Sequence, residues 1–195
     1  MNMSAVLPSK GSSGKFAADK VMEFLAECGS QSGDVIIKTD QEAAIAYLVK
    51  DIVMERGDEK GCRTIVEESP VGSSGSNGIV ERAILSVEQQ VHVLKDALES
   101  RWKVKLPAAH RIIPGMREYA AVLLNRFEFG RDGRTSYERM MGKQAKTMGM
   151  EFGEAVLWKR KTSGGTLGKL TCMWQDGIFV GVRAGSGEII VSDEK

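Results

Sequence analysis

Alternating helix and strand patterns in the first hundred residues constrain the fold more than any other feature. Apolar residues recur at helical spacing from Lys15 to Cys28 and from Gln41 to Arg56, and these runs end at Gly29 and Gly57. Between them, Val35-Ile36-Ile37 is short and apolar, which is typical of a buried strand. Because parallel neighbours need a crossover helix, this order predicts a parallel sheet. The chain is therefore expected to be an α/β protein.

The next elements continue the same alternation. A second strand is predicted from Arg63 to Glu67, and a long amphipathic helix from Gly78 to about Ser100. The strand that begins at Val35 needs a parallel neighbour upstream of Lys15, and Ala5-Val6-Leu7 is the only candidate. We therefore expect a short strand near the start of the chain.

Two acids stand where strand or loop passes into helix. Asp40 follows the first predicted strand, and Glu81 lies in the first turn or so of the long helix, after the cap-type residues Ser76 and Asn77. Two carboxylates on neighbouring element ends can share a divalent cation such as Mg²⁺ or Mn²⁺. Asp40 is equally well placed as a plain N-cap, where its charge meets the positive end of the helix. The residues alone leave both roles, metal ligand and N-cap, open for Asp40.

These acids belong to a longer pattern. Thr39-Asp40 is followed by Glu68-Ser69-Pro70 and then by Ser76-Asn77-Gly78-Ile79-Val80-Glu81-Arg82. Further on stand Asn125-Arg126 and Gly133-Arg134-Thr135-Ser136-Tyr137-Glu138. Together these stretches resemble the integrase core of gypsy- and copia-type retroelements over roughly residues 5–145. In the last stretch, serine replaces the proline that is usual in that family.

The resemblance implies a ribonuclease H-like integrase core and metal-dependent phosphoryl transfer on DNA, that is, DNA integration. It makes Asp40 and Glu81 the catalytic and metal-ligating residues, with Mg²⁺ or Mn²⁺ as cofactor. The family's first acid would precede Asp40 by more residues than this sequence holds. We therefore expect an N-terminally truncated core that lacks its first strand, binds metal weakly and is inactive alone. Asp19 and Asp34 are poor substitutes for the missing acid.

Charge is unevenly distributed along the chain. Residues 1–100 carry 10 Lys and Arg against 16 Asp and Glu, a net of −6, whereas residues 101–195 carry 17 against 10, a net of +7. The basic half favours contact with DNA phosphates, although surface lysines and arginines are often simply solvated. The residues proposed to contact nucleic acid are Asn77, Arg82, Lys143, Lys146, Lys159, Arg160 and Lys161.

Two other functional hypotheses fit the same residues. The chain could be a non-catalytic nucleic-acid-binding module derived from an integrase, retained for its basic half. It could also be an unrelated α/β protein with a chance match. Steep salt dependence of DNA binding distinguishes the nucleic-acid-binding hypothesis from a protein that does not contact phosphates.

The pattern changes character in the last third. Helices are predicted from Met116 to Phe127 and from Thr135 to Met141, where Thr135 and Glu138 have capping-box spacing. Short alternating runs then predict a small antiparallel β appendage. These runs are Ala155–Trp158, Leu170–Trp174, Gly177–Val182 and Glu188–Val191. The expected domains are a partial integrase core at 1–147 and a β-rich module at 148–195.

Composition bears on the compartment and on partners. No apolar run approaches the length of a membrane span, and residues 1–8 lack the features of a signal peptide. Three widely separated cysteines are typical of reduced thiols. The sequence thus predicts an intracellular protein, nuclear or cytoplasmic, with no membrane contact. Self-association is expected through the exposed side of the long helix or through Met116–Phe127.

Overall fold

The computed structural model describes residues 1–7, 15–57, 62–70, 77–146, 149–159 and 172–193. Over these residues the chain is mixed α/β, as predicted, with one parallel and one antiparallel sheet. In chain order the elements are α1 (Phe16–Glu27), β1 (Val35–Thr39), α2 (Ala43–Arg56), β2 (Thr64–Glu68), α3 (Gly78–Trp102), α4 (Ile112–Phe127), α5 (Ser136–Met141), β3 (Ala155–Lys159), β4 (Trp174–Val182) and β5 (Ile189–Ser192).

The first four elements form a layer that we call the β1–β2 layer. β1 and β2 pair in parallel, with Val35 opposite Thr64 and Thr39 opposite Glu68. Helix α2 makes the crossover and contacts both strands, while α1 packs on α2. Only one face of the strand pair is covered in this way, so Ile36 on the other face is 60% exposed. A parallel sheet is therefore present, as predicted, but the parallel partner of β1 is β2 and not a strand upstream of Lys15.

A buried arginine joins the parts of this layer. Arg56, at the end of α2, donates from Nη1 to the Ser30 carbonyl at 2.9 Å and from Nη2 to the Gly33 carbonyl at 2.8 Å. Its Nε donates to Thr64 Oγ1 at 3.0 Å. The guanidinium thus ties α2 to the loop before β1 and to the first residue of β2.

The predicted strand Ala5-Val6-Leu7 is wrong, because residues 1–7 contain no strand. The segment is held on α4 instead of beside β1. Asn2 N donates to Asn125 Oδ1 at 2.7 Å, and Asn125 Nδ2 donates back to the Asn2 carbonyl at 2.7 Å. A side-chain amide offers one donor and one acceptor, so it satisfies this backbone as a neighbouring strand would.

The long apolar stripe of α3 is only partly buried. Its C-terminal residues, including Val87 and Leu98, pack against α4, but Val80 and Ile84 are 56% and 53% exposed. The 25 residues of α3 span roughly 37 Å and the 16 residues of α4 roughly 24 Å at ~1.5 Å per residue. The shorter helix cannot cover the whole stripe, which leaves the first turns of α3 exposed.

The strands β3, β4 and β5 form an antiparallel sheet in that order. The expected antiparallel sheet is present, but Trp174 belongs to β4 instead of a separate strand, and Cys172 and Met173 lie outside any strand. Residues 170 and 171 of that predicted strand are outside the described residues. Glycine at position 181 has φ +140° beside a β-bulge, and the ring of Tyr119 packs against it.

One apolar core, which we call the α4-centred core, joins α3 and α4 to this sheet. Phe179 from β4 and Met116 from α4 are fully buried in it. Tyr119 stacks on Phe152 with ring centroids 5.7 Å apart and meets Phe179 edge-on at 5.5 Å. Side chains from both sides of the proposed 147/148 boundary share this core. The division into domains at 1–147 and 148–195 stays a prediction.

Helix α5 begins with the predicted capping box. Glu138 N donates to Thr135 Oγ1 at 3.1 Å, and Thr135 N donates to Glu138 Oε2 at 2.7 Å. The two side chains satisfy two backbone donors that a helix start leaves unpaired.

Candidate functional site

The carboxyl ends of β1 and β2 meet at one edge of the parallel pair. Thr39 and Glu68, the last residues of the two strands, are register partners. Ser69 N then donates to the Thr39 carbonyl at 2.8 Å, which extends the pairing by one residue. Asp40 follows Thr39 directly, so it is placed at this edge.

The start of α3 is fastened to the same edge. Ser69 is 4% exposed, and its hydroxyl donates to Asn77 Oδ1 at 2.6 Å. Asn77 is the residue that precedes α3, and its carbonyl accepts a hydrogen bond from Glu81 N at 3.0 Å. A hydrogen-bonded path therefore runs from Thr39 through Ser69 and Asn77 to the first turn of the helix that carries Glu81.

Asn77 occupies the expected N-cap position, but its side chain makes no capping hydrogen bond. Its amide oxygen accepts from the Ser69 hydroxyl instead. The side chain thus positions the helix start on the strand edge, which the sequence pattern does not show.

Asp40 is not the N-cap of α2. The helix begins at Ala43 and its N-cap is Glu42, two residues further along. Asp40 Oδ1 accepts from Glu42 N at 3.3 Å, so the carboxylate stabilises the turn that leads into the helix. Its second oxygen, Oδ2, accepts no hydrogen bond from the described part of the chain. Asp40 is exposed and retains an oxygen that could ligate a cation.

Glu81 is exposed in the first turn of α3. Within the described ranges its carboxylate has no ion pair or hydrogen bond, so both oxygens are available. A carboxylate at a helix start also faces the positive end of the helix dipole. Asp40 and Glu81 therefore lie on elements that meet at one edge.

Glu68 is a third carboxylate at this edge, and sequence reasoning did not select it. It ends β2, is exposed and lies opposite Thr39 in the parallel register. Register partners in a sheet project from the same face. The strand register, which the sequence alone does not show, is the observation that identifies Glu68. Among the described residues, no group of three or more His, Cys, Asp or Glu side chains is arranged to hold a metal ion.

The two rejected substitutes for a further acid lie elsewhere. Asp34 precedes β1, at the opposite end of the strand from Asp40. Its Oδ2 accepts from Arg63 Nη2 at 2.8 Å and its Oδ1 from Arg63 N at 3.1 Å. The guanidinium hydrogen bond, aided by that backbone N–H, lowers the pKa of the Asp34 carboxyl. Asp19 is in the first turn of α1.

The lysines proposed to contact nucleic acid lie on different elements. Lys143 and Lys146 follow α5, and Lys159 ends β3; all three are exposed. Arg160 and Lys161 lie outside the described residues. Arg82 is exposed on α3, next to Glu81. Of the nucleic-acid-binding candidates that the structure describes, Asn77 is hydrogen-bonded to Ser69 at the β1–β2 edge, and Arg82 lies on the helix that follows Asn77.

No protein-family model matches the chain, and no curated protein sequence matches it. None of the described helices combines the length and apolar character that crossing a membrane requires.

Proposed function

We propose that the chain derives from the catalytic core of a retroelement integrase, with a ribonuclease H-like ancestry for its β1–β2 layer. In this proposal Asp40 and Glu81 bind one Mg²⁺ or Mn²⁺ at the β1–β2 edge. The main support is the hydrogen-bonded path from Thr39 through Ser69 to Asn77, because it joins the residue before α3 to the strand edge that Asp40 follows. The motif stretches around both acids support the same origin.

The donor set fits a hard cation of modest affinity. Mg²⁺ commonly takes one or two carboxylates and completes its shell with waters or phosphate oxygens. In-line phosphoryl transfer by two metal ions needs ligands that clamp both the attacking and the leaving oxygen. Asp40 and Glu81 supply ligands for one ion, so we propose weak metal binding without strand transfer by this chain alone.

Manganese binding tests the site directly. Calorimetric titration of the full chain with Mn²⁺ should show one site, and Asp40→Asn or Glu81→Gln should each abolish measurable binding. Glu88→Gln is the matched control, because Glu88 is exposed on the same helix but two turns away. Unchanged affinity in both site variants, or an equal loss in the control, would count against the proposal.

A nicking assay tests the predicted inactivity. Supercoiled plasmid incubated with the chain and Mn²⁺ should stay intact. Robust nicking that disappears in Glu81→Gln would show that two acids suffice for catalysis, contradicting the inactivity but retaining the nuclease origin. Nicking that survives this substitution would point to a contaminating nuclease.

The second candidate function is a non-catalytic nucleic-acid-binding module. The net charge of +7 over residues 101–195 and the exposure of Lys143 and Lys159 favour it. Duplex DNA affinity should fall steeply with salt, and removing two phosphate contacts should reduce the logarithmic salt slope by about 2.

The lysine variants make that test specific. Lys143→Ala combined with Lys159→Ala should lower DNA affinity and the salt slope together. Lys50→Ala, an exposed lysine on α2 in the acidic half, is the control and should change neither. Binding without salt dependence would exclude a phosphate-contacting module.

A further inference from the structure

A cavity lies away from the β1–β2 edge, between α3, α4 and the segment before β3. Its volume is about 330 Å³, near the lower end of the roughly 300–1,000 Å³ usual for small-molecule sites. Leu94, Val122 and Phe152 contribute apolar walls. The walls can therefore bury a compact apolar group of one or two rings.

Charges in the lining of this cavity are unbalanced. Arg101 and Glu151 both line it and form an ion pair with each other, which cancels their charges. Arg126 and Lys146 line it as well, and no carboxylate in the described ranges lies within ion-pair distance of either. Two cationic side chains are thus left for a ligand.

Arg126 has a restrained position. Its guanidinium lies over the ring of Tyr137, 5.3 Å from the ring centroid. A planar guanidinium held in this way can meet a carboxylate with two parallel hydrogen bonds. Its charge also acts on Glu27, whose pKa is raised chiefly by burial and is lowered in part by Arg126.

Tyr119 also lines this cavity. Burial raises the pKa of its phenol, and the positive charge of Arg126 opposes this only partly. The hydroxyl therefore stays protonated at neutral pH, and it donates no hydrogen bond within the described ranges. A neutral phenol can donate a hydrogen bond to an anion.

We propose that this cavity binds a small amphipathic anion, with its apolar body against Leu94, Val122 and Phe152 and its carboxylate between Arg126 and Lys146. The apolar walls disfavour a nucleic-acid phosphate as the occupant, because a phosphodiester has no group to bury there. The cavity shares no residue with the proposed metal site, so loss of metal binding leaves it intact. Lys146 is also among the residues proposed to contact nucleic acid, whereas Arg126 is not.

Calorimetric titration of the full chain with 2-naphthoate tests this proposal. Its two-ring naphthalene body is an apolar group of the size that the cavity can bury. The control ligand is 2-naphthylmethanol, which has the same ring system but no charge. Naphthoate should bind at one site and at least about tenfold more tightly than the alcohol, the difference expected for one charge-assisted pair. Equal affinities, or no saturation by either probe, would overturn the proposal.

Variants locate the binding within the cavity. Ala97 is exposed on α3 and lines the cavity, so Ala97→Phe should fill it without disturbing the core and should abolish binding. Arg126→Gln should weaken naphthoate about tenfold and leave the alcohol unchanged, whereas Arg117→Gln, an exposed cation of α4 outside the cavity, should change neither. Thermal unfolding of each variant checks folding. Naphthoate affinity that survives both Ala97→Phe and Arg126→Gln would place the ligand elsewhere and refute the site.

Discussion

The β1–β2 layer and the α4-centred core are stabilised in different ways. In the core, Leu98, Met116 and Phe179 are fully buried, and aromatic rings stack around Tyr119. In the described part of the layer, the buried apolar residues are Ala18, Val49 and Ile52. Most of the apolar burial lies in the second half of the chain, while the candidate metal site lies on the first half.

The layer relies more on polar contacts. Arg56 links three backbone or hydroxyl oxygens, and Ser69 links both strands to α3. Ile36 and Ile65, on the uncovered sheet face, are 60% and 43% exposed. Regions with few buried apolar contacts open more readily than cores. The comparison teaches that the candidate site is carried by the part of the molecule that hydrogen bonds hold in place.

Truncating a core side chain should produce the largest effect. Phe179→Ala should lower the free energy of unfolding by about 3–5 kcal/mol, since it leaves a cavity beside Tyr119 and Phe152. Ile36→Ala in the layer should change it by no more than about 0.5 kcal/mol. Urea unfolding measures both. Equal losses of unfolding free energy would show that the exposed sheet face is buried against something in solution. They would contradict the claimed difference between the layer and the core.

Replacing the buried arginine should have the next largest effect. Arg56→Lys keeps the charge but cannot reach the Ser30 and Gly33 carbonyls and Thr64 together, so we expect a loss of about 1.5–3 kcal/mol. Glu55→Gln, exposed on the same helix, is the control. Hydrogen exchange should show faster opening of β1 and β2 amides with α4 amides still protected. Uniform loss of protection would mean that layer and core unfold as one unit.

Loss of the capping box should have a smaller effect. Thr135→Ala removes the oxygen that accepts from Glu138 N, at a cost of about 1 kcal/mol. Ser136→Ala, one residue inside α5, should be nearly neutral. Urea unfolding of the two variants measures the difference in unfolding free energy that is due to the capping hydrogen bond. Equal effects would assign the loss to general helix propensity.

The last expected effect is confined to acid. Hydrogen bonds from Lys105, from Lys95 and from the Leu106 N–H lower the pKa of Glu99 to about 2, from an ordinary value of 4.5. Its contribution to stability is therefore complete above about pH 4.5 and is lost as pH falls toward 2. Glu99→Gln should flatten the pH dependence of unfolding in that window, and Glu88→Gln should not. An unchanged slope in Glu99→Gln would refute the assignment.

Local patterns in the sequence identified most elements. The apolar periodicity of α1, α2 and α3 and the Thr135–Glu138 capping box follow from side-chain spacing and local hydrogen bonding. The predicted strand at Ala5-Val6-Leu7 failed because pattern alone does not choose among partners for a short apolar run. In the structure Asn2, just upstream of this run, is hydrogen-bonded to Asn125 on α4.

The candidate site was predictable only in part. Its two acids were chosen from their positions at element ends, whereas Glu68 emerged from the strand register and the linking role of Asn77 from its contact with Ser69. Both depend on residues brought together across the chain. The cavity between α3, α4 and the segment before β3 could not be predicted from the sequence pattern. Arg126, Lys146 and Phe152 come together only when the helices and the sheet pack.

The sequence by itself determined the α/β class, the order of most helices and strands and the placement of Asp40 and Glu81 at element ends. These depend on interactions within a few residues, where periodicity and capping act. Only the tertiary structure decided that β4 shares one core with α3 and α4, that the N-terminal part of the α3 stripe stays exposed and that the first residues bind α4. Those outcomes depend on which surfaces are long enough and complementary enough to exclude water from one another, and that is a property of pairs of elements.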